Sequence, residues 1–289
     1  MESIEELPIL VTGFNRPELL NNTLSLLREF GQLNVWIVID GPRSIDVRED
    51  ELTYRCREIA KQFESIAEGR ILIRDTNLGC KYGMYEAIKW FFSNNTKGLV
   101  IEDDLVFRRD FLKFGYESLN SFETDETVGS ITGYMPIDID SGLLQDSLRF
   151  VRHPFFSAWG WGSWSNRWQK YDLEMKSWRS ELTFLKLASR VKWHSPRYWA
   201  RRFDQMSKGE VDTWDFQFLF CHIKNNWDVV APKRNLIQNV GFGEFATHTK
   251  KFKEIPKLHD FDDKIVSGIE SLELKKSDLS RYLRKQFGL

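Results

Sequence analysis

The sequence predicts an α/β fold, with a mostly parallel β-sheet flanked by helices, and three observations predict it. Apolar runs of strand length alternate with helical patterns over the first 150 residues. The runs are apolar almost throughout, which is typical of strands that helices cover on both faces. With 289 residues, 42% of them hydrophobic, the chain can form one large α/β domain or two small ones.

Four strands and two helices are predicted in the first half. Leu20, Leu24 and Leu27 lie on one face of a helix that starts at Pro17, because proline is favoured at the first helical position. A second helical pattern, YEAIKWFF (85–92), precedes the fourth strand. The predicted strands are PILVTGF (8–14), NVWIVIDG (34–41), RILIRD (70–75) and GLVIED (98–103).

Polar side chains follow each predicted strand, at the edge of a parallel sheet where ligands bind. Asn, Asp and Gly also favour turns, and turn formation is our interpretation of Asp75 and Asn77. The choice between turn and binding site stays open for Arg16 and Asp40. The polar groups at the four ends are Asn15 and Arg16, Asp40 and Gly41, Asp75 and Asn77, and Glu102 to Asp104.

Three consecutive carboxylates, Glu102, Asp103 and Asp104, end the fourth strand. A turn needs one acidic residue, not three, and the repulsion of like charges is costly unless something positive is bound there. Mn²⁺ and Mg²⁺ take one or two protein carboxylates and complete their shells with phosphate and water oxygens. We therefore expect Mn²⁺ or Mg²⁺, together with a diphosphate, at this position.

Composition and missing motifs exclude several classes of function. The first βα turn, TGFNRP (12–17), lacks G-x-G-x-x-G, and the chain has no P-loop motif, so neither a dinucleotide site nor a P-loop is expected. The net charge of −1 gives no general attraction to nucleic acid. The three cysteines, Cys56, Cys80 and Cys221, are too few and scattered for a disulfide framework, and we interpret them as buried small side chains in a reducing compartment.

The sequences of the two termini indicate where in the cell the protein is expected. The N-terminal MESIEELP lacks the order of a signal peptide, and no apolar run is long enough to span a bilayer, so we expect a cytoplasmic protein. The C-terminal KKSDLSRYLRKQFGL (275–289) has the pattern of a basic amphipathic helix. A docked helix is the preferred interpretation, and a peripheral contact with the inner face of the membrane is the alternative.

The second half is rich in tryptophan, with nine of eleven between Trp159 and Trp227. The segment FFSAWGWGSWSNRW (155–168) fits neither a helical stripe nor an alternating strand. Indole faces stack on sugar rings, so Trp159, Trp161 and Trp214 are candidates for binding a sugar, although at least half of the indoles are expected to form core instead. Two helices are predicted, at ELTFLKLASRV (181–191) and RYWARRFDQM (197–206).

A second polar cluster begins with Asp212 and Asp215, which precede an apolar helical pattern. This position suits helix capping, the preferred interpretation for Asp212. A short strand (229–231) and a glycine-containing loop (241–249) follow, with His248 near the end of the loop. A lone histidine is usually structural, but one beside a diphosphate could donate to phosphate.

In order, these motifs resemble glycosyltransferases of the GT-A fold, a Rossmann-like fold, and especially N-acetylglucosaminyltransferase I and related bacterial enzymes of surface polysaccharides. The resemblance covers about residues 8 to 250. It is carried by ILVTGFNRPELL, VIDG, VIEDDL followed by RRDFLKF, WDFQF and QNVGFG with THT. It implies a donor half (1–150), an acceptor and catalytic half (151–250) and a C-terminal helical tail (251–289).

The resemblance also implies roles for single residues. Asp104 would be the metal ligand, with Glu102 and Asp103 contacting the donor sugar and ribose. Asp215 would be the catalytic base. Further donor-binding roles are implied for Arg16, Asp40 and His248. Lys81, or its neighbour, stands where the animal enzymes have a donor-binding histidine, so a donor-binding role is implied for Lys81 as well.

The implied reaction is an inverting, metal-dependent transfer from a nucleotide sugar to a glycan or lipid-linked acceptor. The expected donor is a uridine diphosphate sugar, N-acetylhexosamine included. Two alternatives stay open. A sugar nucleotidyltransferase would carry a glycine-rich basic loop where TGFNRP stands, and a non-catalytic carbohydrate-binding protein would leave the acidic triplet and Asp215 unexplained.

Overall fold

The computed structural model describes residues 4–31, 34–43, 47–67, 70–137, 150–176, 178–181, 183–191, 195–241, 257–259, 272–273 and 276–287. The strands are β1 (Pro8–Gly13), β2 (Asn34–Ile39), β3 (Ile71–Ile73), β4 (Lys97–Glu102), β5 (Leu105–Phe107), β6 (Val128–Thr132), β7 (Phe150–His153), β8 (Trp161–Trp164), β9 (Asp228–Pro232), β10 (Ile237–Asn239) and β11 (Leu272–Glu273). The helices are α1 (Pro17–Glu29), α2 (Val47–Gln62), α3 (Glu64–Ala67), α4 (Gly79–Asn94), α5 (Arg109–Ser121), α6 (Ser165–Trp168), α7 (Trp178–Glu181), α8 (Phe184–Arg190), α9 (Pro196–Ser207), α10 (Asp215–Asn225) and α11 (Lys276–Phe287), and a 3-10 turn covers Ile4–Glu6.

Nine strands form one mixed sheet in the order β11-β7-β9-β6-β8-β4-β1-β2-β3. Strands β4, β1, β2 and β3 are parallel, whereas β8 lies antiparallel between β4 and β6. A separate antiparallel pair joins β5 to β10. The predicted α/β fold with a mostly parallel sheet is therefore confirmed. Because β1 to β4 are parallel, their carboxyl ends lie at one edge, where Thr12 is in register with Glu102.

The core consists of two apolar layers, one on each face of the large sheet. Successive strand residues point to opposite faces, so Leu10 packs in one layer while Ile9 and Val11 pack in the other. Helices α1, α2 and α5 cover one face, and α4, α8, α9, α10 and α11 cover the other. Both layers contain residues from before and after residue 150. The two predicted halves thus share one sheet and both core layers.

Two predicted segments differ from the structure. Helix α4 begins at Gly79, six residues before the predicted pattern. The aromatic segment that fitted neither periodicity forms β8 followed by the single turn α6. All four residues of β8 are buried, because strands pair on both its edges and helices cover both faces, so no alternation of polar and apolar residues marks it.

The C-terminal helix α11 is docked, as preferred from the sequence. Leu279, Tyr282 and Leu283 are buried, and the Tyr282 ring centre lies 4.7 Å from that of His153. The apolar face of α11 therefore packs inside the protein. Among the described residues, no helix has both the length and the apolarity needed to cross a membrane.

Candidate functional site

The acidic triplet lies at the carboxyl end of β4, next to the end of β1. Asp103 and Asp104 are buried, and the guanidinium of Arg16 bridges them. Arg16 Nη1 lies 2.7 Å from Asp104 Oδ2, Nη2 bonds Asp103 Oδ1, and Nε lies 3.4 Å from Asp103 Oδ2. Arg16 reaches the triplet because it follows β1, the parallel neighbour of β4.

The triplet holds more negative charge than Arg16 neutralises. Burial, and then the nearby Asp104 carboxylate, raises the pKa of Glu102 to about 8. Burial likewise raises the pKa of Asp103 to about 7, although Arg16 opposes the shift. Burial disfavours the charge of Arg16, but attraction by Asp103 and Asp104 outweighs it and raises the pKa of the guanidinium. A further cation would therefore be stabilised here.

The position of Asp103 does not match the donor contact that the resemblance implies for it. Its carboxylate is almost fully buried and accepts two hydrogen bonds from Arg16. Its carbonyl oxygen accepts a hydrogen bond from Thr23 Oγ1 at 2.9 Å. The structure therefore does not support a donor contact by Asp103, because its carboxylate is enclosed by the protein. Arg16, in turn, is bound to carboxylates in this structure.

The segment after β10 lies directly against Asp104. Asn239 Nδ2 lies 3.3 Å from Asp104 Oδ1, and the Val240 N–H donates to the Asp104 carbonyl oxygen at 2.9 Å. A β-carbon at Gly241 would lie 2.0 Å from Asp104 Oδ2, so only glycine permits this approach. His248, in the predicted loop 241–249, falls outside the described residues, and its donor-binding role stays a prediction.

The first turn of α4 lies at the same edge of the sheet, and side chains accept its N–H groups. Asp212 was interpreted as a cap of the helix that follows it, but it caps α4 instead. The bonds run from Leu78 N to Asp40 Oδ2 (3.2 Å), from Gly79 N to Asn77 Oδ1 (2.9 Å), from Cys80 N to Asp212 Oδ2 (2.9 Å) and from Lys81 N to Asp212 Oδ1 (2.7 Å). These N–H groups are therefore not available to a phosphate.

Asp215 is the first residue of α10 and is partly buried. Its Oδ1 accepts hydrogen bonds from Thr213 Oγ1 at 2.5 Å and from the Phe216 N–H at 3.0 Å. Its Oδ2 makes no hydrogen bond to any described residue. One carboxylate oxygen is thus held in place while the other can accept a proton.

The charges of four acidic groups from distant parts of the chain act on the Cys80 thiol. Burial is the main cause that raises the pKa of Cys80, followed by the negative charges of Glu102, Asp215, Asp212 and Asp40. Asp215 also contributes to the raised pKa of Glu102. The structure therefore brings together the end of β2, the end of β4 and the start of α10. Cys80 was interpreted as a buried small side chain, but it is only partly buried, unlike Cys56 and Cys221, and its proximity to these acidic groups has no signal in the sequence.

Lys81 is buried at the same edge, and its ammonium group is already paired. Lys81 Nζ lies 3.1 Å from Glu174 Oε1, which also accepts a hydrogen bond from Tyr82 Oη at 3.1 Å. Sequence analysis missed Glu174, because nothing in the pattern around it indicates a partner 93 residues away. The donor-binding role of Lys81 stays a prediction.

The structure does not support a sugar-stacking role for Trp161 and Trp214. Trp161 is fully buried and Trp214 is 3% exposed, and their ring centres lie 5.4 Å apart in the core. Both rings also pack against Phe156. Trp159 is partly buried, with its ring edge-on to Tyr134 at 4.6 Å, and its acceptor-binding role stays a prediction.

The residues fit a hard divalent cation. The Glu102 carboxylate makes no hydrogen bond to the described residues, and Glu102 and Asp104 offer the oxygen atoms that Mn²⁺ and Mg²⁺ prefer. Within the described ranges, no group of three or more His, Cys, Asp or Glu side chains could hold a metal ion. A cation at this site would therefore need ligands from phosphate and water, as is usual for metal–diphosphate sites. It would also compete with Arg16 for Asp104.

No protein-family model and no curated protein matches the sequence. Comparison with solved structures finds the glycosyltransferase GlyE of Streptococcus pneumoniae TIGR4, with 14% sequence identity and a TM-score of 0.37. The match covers 78% of this chain and 45% of that protein, so the chain spans less than half its length. At this level of similarity the match carries no argument about function.

Proposed function

We propose that this protein is an inverting GT-A glycosyltransferase that moves a sugar from a nucleotide diphosphate sugar to a glycan or lipid-linked acceptor. The donor in this proposal is a uridine diphosphate sugar. The observation that supports it is the proximity of three carboxylates from different parts of the chain, since the charges of Asp104 and Asp215 both act on Glu102 and help to raise its pKa.

The proposed reaction divides the work between the two groups of carboxylates. A divalent cation held by Glu102 and Asp104 would offset the charge that develops on the leaving diphosphate. Asp215, through Oδ2, takes the proton from the acceptor hydroxyl as that oxygen bonds to the anomeric carbon. The bond to the diphosphate breaks on the opposite side of the sugar, so the anomeric configuration inverts, as in glycosidases that use one base on one face.

The first experiment identifies the class of reaction. The protein is incubated with Mn²⁺ and a panel of nucleotide sugars, and release of nucleoside diphosphate is measured. A transferase slowly hydrolyses its donor to the nucleoside diphosphate. Exchange of pyrophosphate into the nucleotide sugar would instead indicate a nucleotidyltransferase, and sugar binding without either reaction would indicate a carbohydrate-binding protein.

Asp215→Asn tests the proposed base. We expect its transfer rate to fall by about 10²- to 10⁴-fold, the usual contribution of a general base, while the donor Kd stays within about twofold. The matched control is Asp204→Asn, which should retain activity. Asp204, on α9, forms a surface ion pair with Arg179 on α7. Full transfer by Asp215→Asn would contradict the base assignment.

Asp104→Ala tests the metal ligand in the same protein. We expect it to abolish the part of donor binding that depends on Mn²⁺, measured by calorimetry with and without the ion. Metal-dependent binding that persists in this variant would exclude Asp104 as the ligand.

A further inference from the structure

The side chain of Asp212 connects two segments that lie far apart in the sequence. Its two carboxylate oxygens accept the N–H groups of Cys80 and Lys81 at 2.9 and 2.7 Å, over separations of 132 and 131 residues. Asp212 precedes α10 by three residues, whereas Cys80 and Lys81 belong to the first turn of α4. One side chain therefore fixes the start of α10 against the start of α4.

The backbone of α4 is adapted to this contact. Gly79 has φ +75°, a conformation that glycine adopts readily, and a β-carbon there would lie only 3.0 Å from Asp212 Oδ2. A negative charge at a helix N-terminus is also favourable, because the unpaired N–H groups carry partial positive charge. Geometry and electrostatics thus both favour the Asp212 carboxylate in this position.

The turn between Asp212 and α10 is held at several further points. The Thr213 carbonyl oxygen accepts a hydrogen bond from Gln217 Nε2 at 2.7 Å, and the Trp214 carbonyl oxygen accepts one from Tyr171 Oη at 2.9 Å. Thr213 Oγ1 then donates to Asp215 Oδ1 at 2.5 Å. The position of the Asp215 carboxylate therefore depends on the position of this turn, and Asp212 ties the turn to α4.

We infer that Asp212 is a positioning residue that holds Asp215 at the distance from Glu102 and Asp104 that the transfer reaction requires. This inference rests on the proposed function. Asp212 contacts no reacting atom in it, and its effect passes through the turn. Displacement of a catalytic group by about 1 Å can cost about 10²-fold in rate, so loss of Asp212 acts on the chemical step.

Two variants, Asp212→Ala and Asp212→Asn, test the inference. We expect kcat of Asp212→Ala to fall by about 10- to 100-fold while the donor KM stays within about twofold, because Glu102 and Asp104 are on another segment. Asp212→Asn keeps one oxygen acceptor and should recover part of the rate. Amide hydrogen exchange at Cys80 and Lys81 should become faster in Asp212→Ala, and Asp204→Ala serves as the control for both measurements.

The outcomes separate this inference from the proposed function. Faster exchange at the two amides with unchanged kcat would overturn the positioning role, and so would a rise in KM that accounts for the whole loss of activity. Unchanged exchange would overturn the contact itself. Failure of the wild-type protein to release nucleoside diphosphate from any donor would overturn the proposed function and, with it, the positioning role of Asp212. The exchange result would still decide whether Asp212 binds the Cys80 and Lys81 amides.

Discussion

At the scale of single residues, Arg16 largely sets the charge of the site. It pairs with both Asp103 and Asp104, and its side chain is 19% exposed while that of Asp103 is 2% exposed. Burial and the nearby Asp104 charge raise the pKa of Glu102, although the charge of Arg16 opposes the shift. The free protein therefore contains one buried guanidinium where the proposed reaction requires a divalent cation as well.

We expect Arg16→Gln to lower the free energy of unfolding by about 3 kcal/mol, because removal of one partner leaves buried carboxylates uncompensated. Mn²⁺ should recover part of this loss, so the ion should raise the Tm of the variant more than that of the wild type. Thermal unfolding with and without Mn²⁺ measures both effects.

The control for this prediction is Arg55→Gln, which removes an exposed pair with Glu18 and should cost under about 1 kcal/mol. Equal Tm shifts by Mn²⁺ in the wild type and in Arg16→Gln would contradict competition between Arg16 and the cation.

At the scale of elements, the sheet and α10 are linked by a buried histidine. His222 Nδ1 lies 2.9 Å from the Phe218 carbonyl oxygen, so this nitrogen carries the proton, and Nε2 accepts from Ser130 Oγ of β6 at 2.8 Å. Burial lowers the pKa of His222 from 6.5 to about 4. The neutral ring thus joins the helix that carries Asp215 to the middle of the sheet.

The lowered pKa of His222 gives a pH dependence of stability. In the unfolded chain the His222 ring binds a proton near pH 6.5, whereas in the folded protein it does so only near pH 4. The contribution of His222 to the free energy of unfolding is therefore complete above pH 6.5 and is lost as the pH falls towards 4. Between pH 7 and pH 5 this loss amounts to about 2 kcal/mol. The stability advantage of the wild type over His222→Gln should shrink by that amount, measured by urea unfolding.

The comparison with His222→Gln is needed because other groups titrate in the same range. The raised pKa of Glu102 and Asp103 acts with the opposite sign, since these carboxyls favour the folded state at low pH. His153, whose pKa burial also lowers to about 4, acts in the same direction as His222 and remains in both proteins. A difference that does not change between pH 7 and 5 would contradict the prediction.

The sequence predicted some helices and missed others, depending on how apolar the buried face of each helix is. Helix α1 begins at Pro17 as predicted, and Leu20, Leu24 and Leu27 form its buried apolar face. Helix α2 was not predicted, because it buries only Thr53, Cys56 and Ala60, which are too small or too polar to form a recognisable apolar stripe.

Across the described molecule, one sheet contains strands from both halves of the chain and from the C-terminal tail. Strand β11, from the C-terminal tail, pairs with β7, and α11 packs on the layer that contains α4, α9 and α10. Tyr282 lies fully buried between the ring of His153 and that of Phe155, with centre distances of 4.7 and 6.3 Å. Strand β11 therefore extends the large sheet, and α11 is part of the core on one of its faces.

We expect Tyr282→Ala to lower the free energy of unfolding by about 3 to 4 kcal/mol, because it leaves a cavity in a shared core. Thermal unfolding followed by circular dichroism and by tryptophan fluorescence should show a single, coincident transition at a lower Tm. Arg284→Ala, exposed on the same helix, should stay within about 0.5 kcal/mol of the wild type. Separate transitions in the two signals would show that the tail unfolds on its own.

The α/β class and the position of the acidic triplet at the end of a strand could be predicted from the sequence, because both follow from local periodicity and from residue types that are adjacent in the chain. Three features became apparent only in the folded protein: the pairing of Arg16 with Asp103 and Asp104, the capping of α4 by Asp212, and the core position of Trp161 and Trp214. These contacts join residues about 50 to 130 positions apart. They depend on strand order and on the packing of helices across the sheet, which local patterns do not encode.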